Sequence, residues 1–163
     1  MYQVGDKVVH PMHGAGVVDS IVQKKVDGLL RDYYILKLPN RSMVVMIPTD
    51  SSDEIGVRPV IDGDQADLIL AAIPSIQVEM TANWNHRYRE NMERMKSGDL
   101  YEVARVAKGL VHRDRERGLS TGERKMLRSA KQILISEMVL SMEEEYHAIE
   151  TQVNAAMSGG QAV

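Results

Sequence analysis

From Gly5 to Val60 the apolar residues fall at strand spacing, with turn chemistry between the runs. Lys7-Val8-Val9-His10 leads into Pro11-Met12-His13-Gly14, and the next run covers Ala15 to Val22. Asp27-Gly28 is a hairpin signal. Tyr33 to Leu38 alternates and stops at a Pro39-Asn40 turn, Ser42 to Ile47 forms a fourth run closed by Pro48, and a short fifth strand is expected near Val57–Val60. Five short strands in so few residues leave no room for crossover helices. The pattern therefore predicts an antiparallel, strongly bent sheet or an SH3-like barrel.

Beyond Val60 the period changes to that of a helix. Asp62-Gly63-Asp64 opens a short helix through Leu68, Ile69, Leu70 and Ile73, which ends before Pro74. Residues 74–82 read as a linker. A helix begins near Asn83 and ends near Gly98. Asp99 with Glu102, Ser120 with Glu123, and Ser141 with Glu144 each have capping-box spacing, and Gly118 is a natural helix stop with Arg113, Arg115 and Arg117 before it. Four helices with short connections between 83 and 157 predict a compact bundle. The fold class is thus α+β in two domains: a small β-domain over 1–60, a short helix and linker over 61–82, and a helical domain over 83–157. Residues 158–163 are expected to be a frayed tail.

Composition narrows the function. The chain has no Cys, which removes disulfides, thiolate metal sites and thiol nucleophiles and fits a reducing cytoplasm. The N-terminus lacks a signal-peptide pattern, and no apolar run approaches the length of a membrane span. A soluble, non-exported protein is expected. The net charge of -3 conceals an uneven distribution. Residues 60–80 carry only acids, residues 81–131 carry 13 Lys/Arg against 7 Asp/Glu, and residues 132–163 carry only acids again. A local excess of this kind suits a polyanion-binding surface or a solvated helical face.

Trp84 is the single tryptophan in a chain without phenylalanine, set in the polar, cation-rich stretch Asn83-Trp84-Asn85-His86-Arg87-Tyr88-Arg89. With Tyr88, Met92 and Met95 it forms one helical stripe, so it could anchor the helix in a core. It is also a terminal ring beside arginines, suited to wedging against a base step. Arg87, Arg89, Arg124, Lys125 and Arg128 lie near two helix N-termini, a plausible phosphate-binding arrangement. In the β-domain, the fourth run (Met43 to Ile47) is more apolar than a half-solvated strand needs, either as a partner-binding edge or as a strand buried on both faces. His10 and His13 lack a third metal ligand, and no catalytic constellation or cofactor motif is present. A binding protein is favoured over an enzyme.

At this point the chain resembles the CarD/CdnL family of bacterial transcription regulators, from Val4 to about Met138. The resemblance is carried by Val4-Gly5-Asp6-Lys7-Val8-Val9-His10-Pro11 with His13-Gly14-Ala15-Gly16, by Met46-Ile47-Pro48, by Asn83-Trp84-Asn85-His86-Arg87-Tyr88, by Lys96-Ser97-Gly98-Asp99, and by Arg113 to Leu127. The N-terminal motif alone is also similar to the polymerase-interacting domain of transcription-repair coupling factors.

The resemblance implies a Tudor-like domain that docks on the RNA polymerase β subunit by sheet-edge pairing, with Lys24, Leu36, Met46 and Pro48 at matching positions. Some members carry Arg where this chain has Met46, so the contact here would be apolar. It also implies a helical domain touching promoter DNA at the upstream edge of the melted region. Trp84 would be a minor-groove wedge there, Arg87, Arg89 and Arg124 would be basic contacts, and Met92 belongs to the same face. The expected function is a monomeric, cytoplasmic regulator that stabilises the open complex. The alternatives are a protein adaptor without DNA contact and a free-standing DNA-binding repressor.

Overall fold

In a computed structural model, residues 1–39 and 42–159 are described. The β-domain comprises β1 (Lys7–His10), β2 (Gly14–Val26), β3 (Leu29–Lys37), β4 (Val44–Pro48) and β5 (Arg58–Pro59). They form one antiparallel sheet in the order β4-β3-β2-β1-β5. The expected barrel is therefore an open sheet, with β4 and β5 as its two edges. Thr49–Ser51 and Ser52–Ile55 (α1) supply a helical turn between β4 and β5, which the strand pattern did not predict. The Asp27-Gly28 hairpin is present, and both residues have positive φ (53° and 80°), as a type I′ turn requires. Asn40, half of the expected Pro39-Asn40 turn, lies outside the described residues.

Alternation along the strands buries one face. Val8, Val18, Tyr34, Leu36, Leu38, Val45, Ile47 and Val57 make the sheet's core.

The helical domain follows: α2 (Gly63–Ala72), a 3-10 turn (Ile73–Ser75), α3 (Trp84–Lys96), α4 (Leu100–Arg117), α5 (Thr121–Met142) and α6 (Tyr146–Gly159). Asp62 and Asp99 cap α2 and α4 by accepting from Gln65 N and Tyr101 N. Glu102 does not complete a capping box; it pairs with Arg94 and Arg105. Ser120 and Glu123 do form the full reciprocal box at α5. The third expected box is absent. Ser141 lies in the last turn of α5, its hydroxyl donating to Glu137 O, and α5 ends at Glu143 in the left-handed region. Helix propagation through the apolar run before it overrides the local cap signal. The expected tail also starts too early, since α6 continues to Gly159; residues 160–163 lie outside the described set.

The linker is pinned to α4 at two places. Buried Lys108 donates to the carbonyls of Ile73, Pro74 and Ile76 at 2.8–2.9 Å. Met80 fills the notch left by Gly109, where any Cβ would collide with its methyl group. Burial lowers the Lys108 pKa. Its three carbonyl partners match the three donors of the ammonium.

Candidate nucleic-acid interface

Trp84 is the first residue of α3, positioned by Asn83, whose side chain accepts from His86 N at 3.1 Å. Two further interactions fix its indole. One face stacks on Tyr88 with centroids 5.1 Å apart and planes 10° from parallel. Its Nε1 donates to Ser120 Oγ at 3.1 Å. Both rings lie against the first turn of α5, where a Cβ on Gly122 would touch each of them in ordinary van der Waals contact. The indole remains 43% exposed. Trp84 thus combines the two options its sequence position left open, being anchored on one face and accessible on the rest.

Arg87, expected on the phosphate-binding surface, is buried. It is 2% exposed, and its Nε donates to Glu123 Oε2 at 2.8 Å. Its Nη1 donates to the carbonyls of Thr81 and Ala82 at 3.1 and 3.0 Å. Every arm of the guanidinium is turned inward, so Arg87 has no free donor edge for a phosphate. The helical period explains the difference: Arg87, Asn91 and Met95 are the buried positions of α3.

Glu123 joins the pieces. It accepts from Arg87 and from the Ser120 hydroxyl (3.1 Å), which itself accepts from Trp84. Burial pushes the Glu123 pKa up, but the bonds from Arg87 and Ser120 outweigh it and hold the carboxyl below its ordinary value.

Around this assembly, Arg89, Arg124, Lys125 and Arg128 are exposed, and among the described residues no ion pair holds them. Met92 is half-buried against the helical core, which makes it a support for the Trp84–Tyr88 stripe.

In the β-domain, strand register sorts the other candidate residues. Met46 pairs with Ile35, Pro48 with Tyr33, Tyr33 with Val22, and Lys24 with Arg31. Directly paired residues share a face, so Lys24, Met46 and Pro48 lie on the same outer face, Met46 and Pro48 on the β4 edge and Lys24 on β2 beyond β3. Leu36 does not. It is fully buried on the opposite face, between Val18 and Val45. Its side chain belongs to the core, and the alternation Tyr34–Leu36–Leu38 was the signal for it. The choice left open for β4 resolves into alternation: Val45 and Ile47 are buried, while Val44 and Met46 are exposed.

The two regions have separate counterparts among known families. Residues 2–61 match the CarD-like/TRCF RID domain, and residues 69–154 match the CarD C-terminal domain. The chain belongs to the CarD family. It is 34% identical over 138 residues to the "Putative transcription factor YdeB" of Bacillus subtilis strain 168, spanning 85% of this chain and 90% of that protein. CarD proteins are transcription regulators and are not a known enzyme family.

The CarD C-terminal match contains the whole Trp84–Ser120–Glu123–Arg87 assembly, and the RID match contains the β4 edge. Ser120, Glu123 and Tyr88 are the structural residues that sequence reasoning undervalued. The capping-box spacing located Ser120 and Glu123 but gave no sign that they also anchor α3. His10 and His13 have ring centroids 4.6 Å apart, and His10 Nδ1 already accepts from Met12 N. Among the described residues no group of three His, Cys, Asp or Glu is placed to hold a metal, and no helix is long and apolar enough to cross a membrane.

Proposed function

We propose that this CarD-family protein docks on the RNA polymerase β subunit through the β4 edge and stabilises the promoter open complex with its helical domain. The single observation that carries the reading is the half-exposed indole of Trp84, braced by Tyr88 and Ser120 amid exposed surface cations. A braced aromatic at a helix end is suited to insert at a distorted base step in the minor groove. Arg89 and Arg124, with Lys125 and Arg128 nearby, hold phosphates without reading sequence.

Docking supplies a high local concentration of the helical domain, so each DNA contact can be weak. The wedge meets its step only after melting begins, at the upstream edge of the bubble. Better binding to the open than to the closed state shifts the equilibrium toward open complex. Promoter selectivity then follows each promoter's melting energetics. The protein acts as a monomer in the cytoplasm.

The docking face is apolar at its centre, with Val44, Met46, Ile35, Tyr33 and Val22, and cationic beside it at Lys24, while Arg31 pairs with Asp50 at 2.9 Å. As an edge strand of the sheet, β4 also presents its outer backbone groups for strand addition.

Co-purification with polymerase tests the reading. The wild-type chain is expected to be retained by the β subunit, and Met46→Glu to be lost. Equal retention of both, or a wild-type chain that binds promoter DNA specifically without polymerase, would contradict it.

A further inference from the structure

Helix α5 takes part in both functional regions. Its N-terminal turn, with Ser120 and Glu123, holds Trp84 and Arg87. Its second half docks on the β-domain through one face. Gln132 Nε2 donates to His13 O at 3.0 Å, Ser136 Oγ accepts from Ala15 N at 2.9 Å, and Lys7 Nζ donates to Leu140 O at 3.1 Å. Gly14, with φ of 105°, lets the turn approach so closely that a Cβ there would collide with Ser136 Oγ.

The centre of this contact is a fork between Glu137, 0% exposed, and Arg58 of β5, with both N–O distances 2.7 Å. Glu137 Oε2 also accepts from Ile61 N at 2.9 Å, where the chain leaves the sheet.

A fully buried carboxylate is a poor way to gain stability, since desolvation offsets most of the attraction. A bidentate fork does fix direction, because it permits only one relative orientation of the two groups. We infer that the Arg58–Glu137 pair is a positioning joint that makes α5 a ruler between the polymerase-docking sheet and the Trp84 end. From Ser120 to Glu137 the helix measures about 26 Å at its usual rise per residue. Polymerase docking then delivers the indole to one fixed place on the DNA. The docking proposal above underlies this role, but the rigidity of the joint belongs to the isolated protein.

The test replaces the pair with Arg58→Met and Glu137→Met together, leaving no lone buried charge. Arg58→Lys, which keeps the cation and removes the fork, is a milder second variant that retains the fold. Because the chain lacks cysteine, Lys37→Cys and Glu93→Cys provide label sites for an interdomain distance distribution. The wild type should give a narrow distribution, the double variant a broad one, and Arg58→Lys an intermediate one. On polymerase, the unlabelled variants should bind within about twofold of wild type while open-complex lifetime shortens severalfold, because effective concentration depends on geometry.

Narrow distributions in both variants would overturn the joint. Broad distributions with an unchanged lifetime would overturn its role in positioning. If the wild type fails to bind polymerase, the docking proposal fails, and the distance measurement still decides the joint.

Discussion

The Arg87 guanidinium and the Glu123 carboxylate face each other across 2.8 Å in a site where both side chains are 3% exposed. Through Ser120 the same carboxylate is linked to the indole of Trp84. A buried ion pair therefore holds the candidate wedge.

Arg87→Ala is expected to cost about 3–5 kcal/mol, because it strands a buried carboxylate. Thermal unfolding measures it. The loss should appear as a lower melting temperature, while the salt dependence of DNA binding by the folded variant should match that of the wild type. Phosphate contact by Arg87 would instead lower the salt dependence of DNA binding at temperatures where the variant is fully folded.

Arg89→Ala and Arg124→Ala should behave in the opposite way. Each side chain is exposed and lacks an ion-pair partner among the described residues, so stability should change by about 0.5 kcal/mol or less. Each should reduce the slope of log affinity against log salt by about 0.9, the counterion yield of one phosphate. A salt titration of binding to duplex or forked DNA reads this directly.

Leu36 and Met46 separate core from interface. Leu36→Ala is expected to destabilise the sheet by about 2–5 kcal/mol, as for other buried leucines. Met46→Glu should leave melting nearly unchanged and weaken polymerase retention. Chemical denaturation paired with a pull-down distinguishes the two.

Acid should weaken the fold in two stages. Burial, helped by the neighbouring His13, holds the His10 pKa down to about 4 from an ordinary 6.5. The unfolded chain therefore takes up the proton first, and the stability contributed by neutral His10 is lost as pH falls from 6.5 toward 4. Glu123 has a lowered pKa too, so its contribution is full above the ordinary carboxylate value and declines as pH falls below it. His10→Gln should flatten the upper part of a melting-temperature profile, and Glu123→Gln the lower part.

Local signals carried most of the fold. Alternation, the Asp27-Gly28 turn and the caps at Asp62, Asp99 and Ser120 located the strands and helices, because each acts over a few residues. Signals that depend on distant partners were not legible. Nothing near Arg87 announces Glu123, 36 residues away, and nothing near Arg58 announces Glu137. Ser141 shows the reverse failure, where a good local cap signal yielded to the continuing apolar face of α5. In the basic segment, the count of cations overstates what reaches the surface. Arg87 and Lys108 are buried, and Arg94 and Arg105 share Glu102.

The central claim is that the braced indole stabilises the melted promoter, and open-complex lifetime with Trp84→Ala tests it most directly. With polymerase binding verified as equal to wild type, the lifetime should shorten about tenfold, the scale of one lost aromatic–base contact. A lifetime equal to that of the wild-type complex would contradict the account.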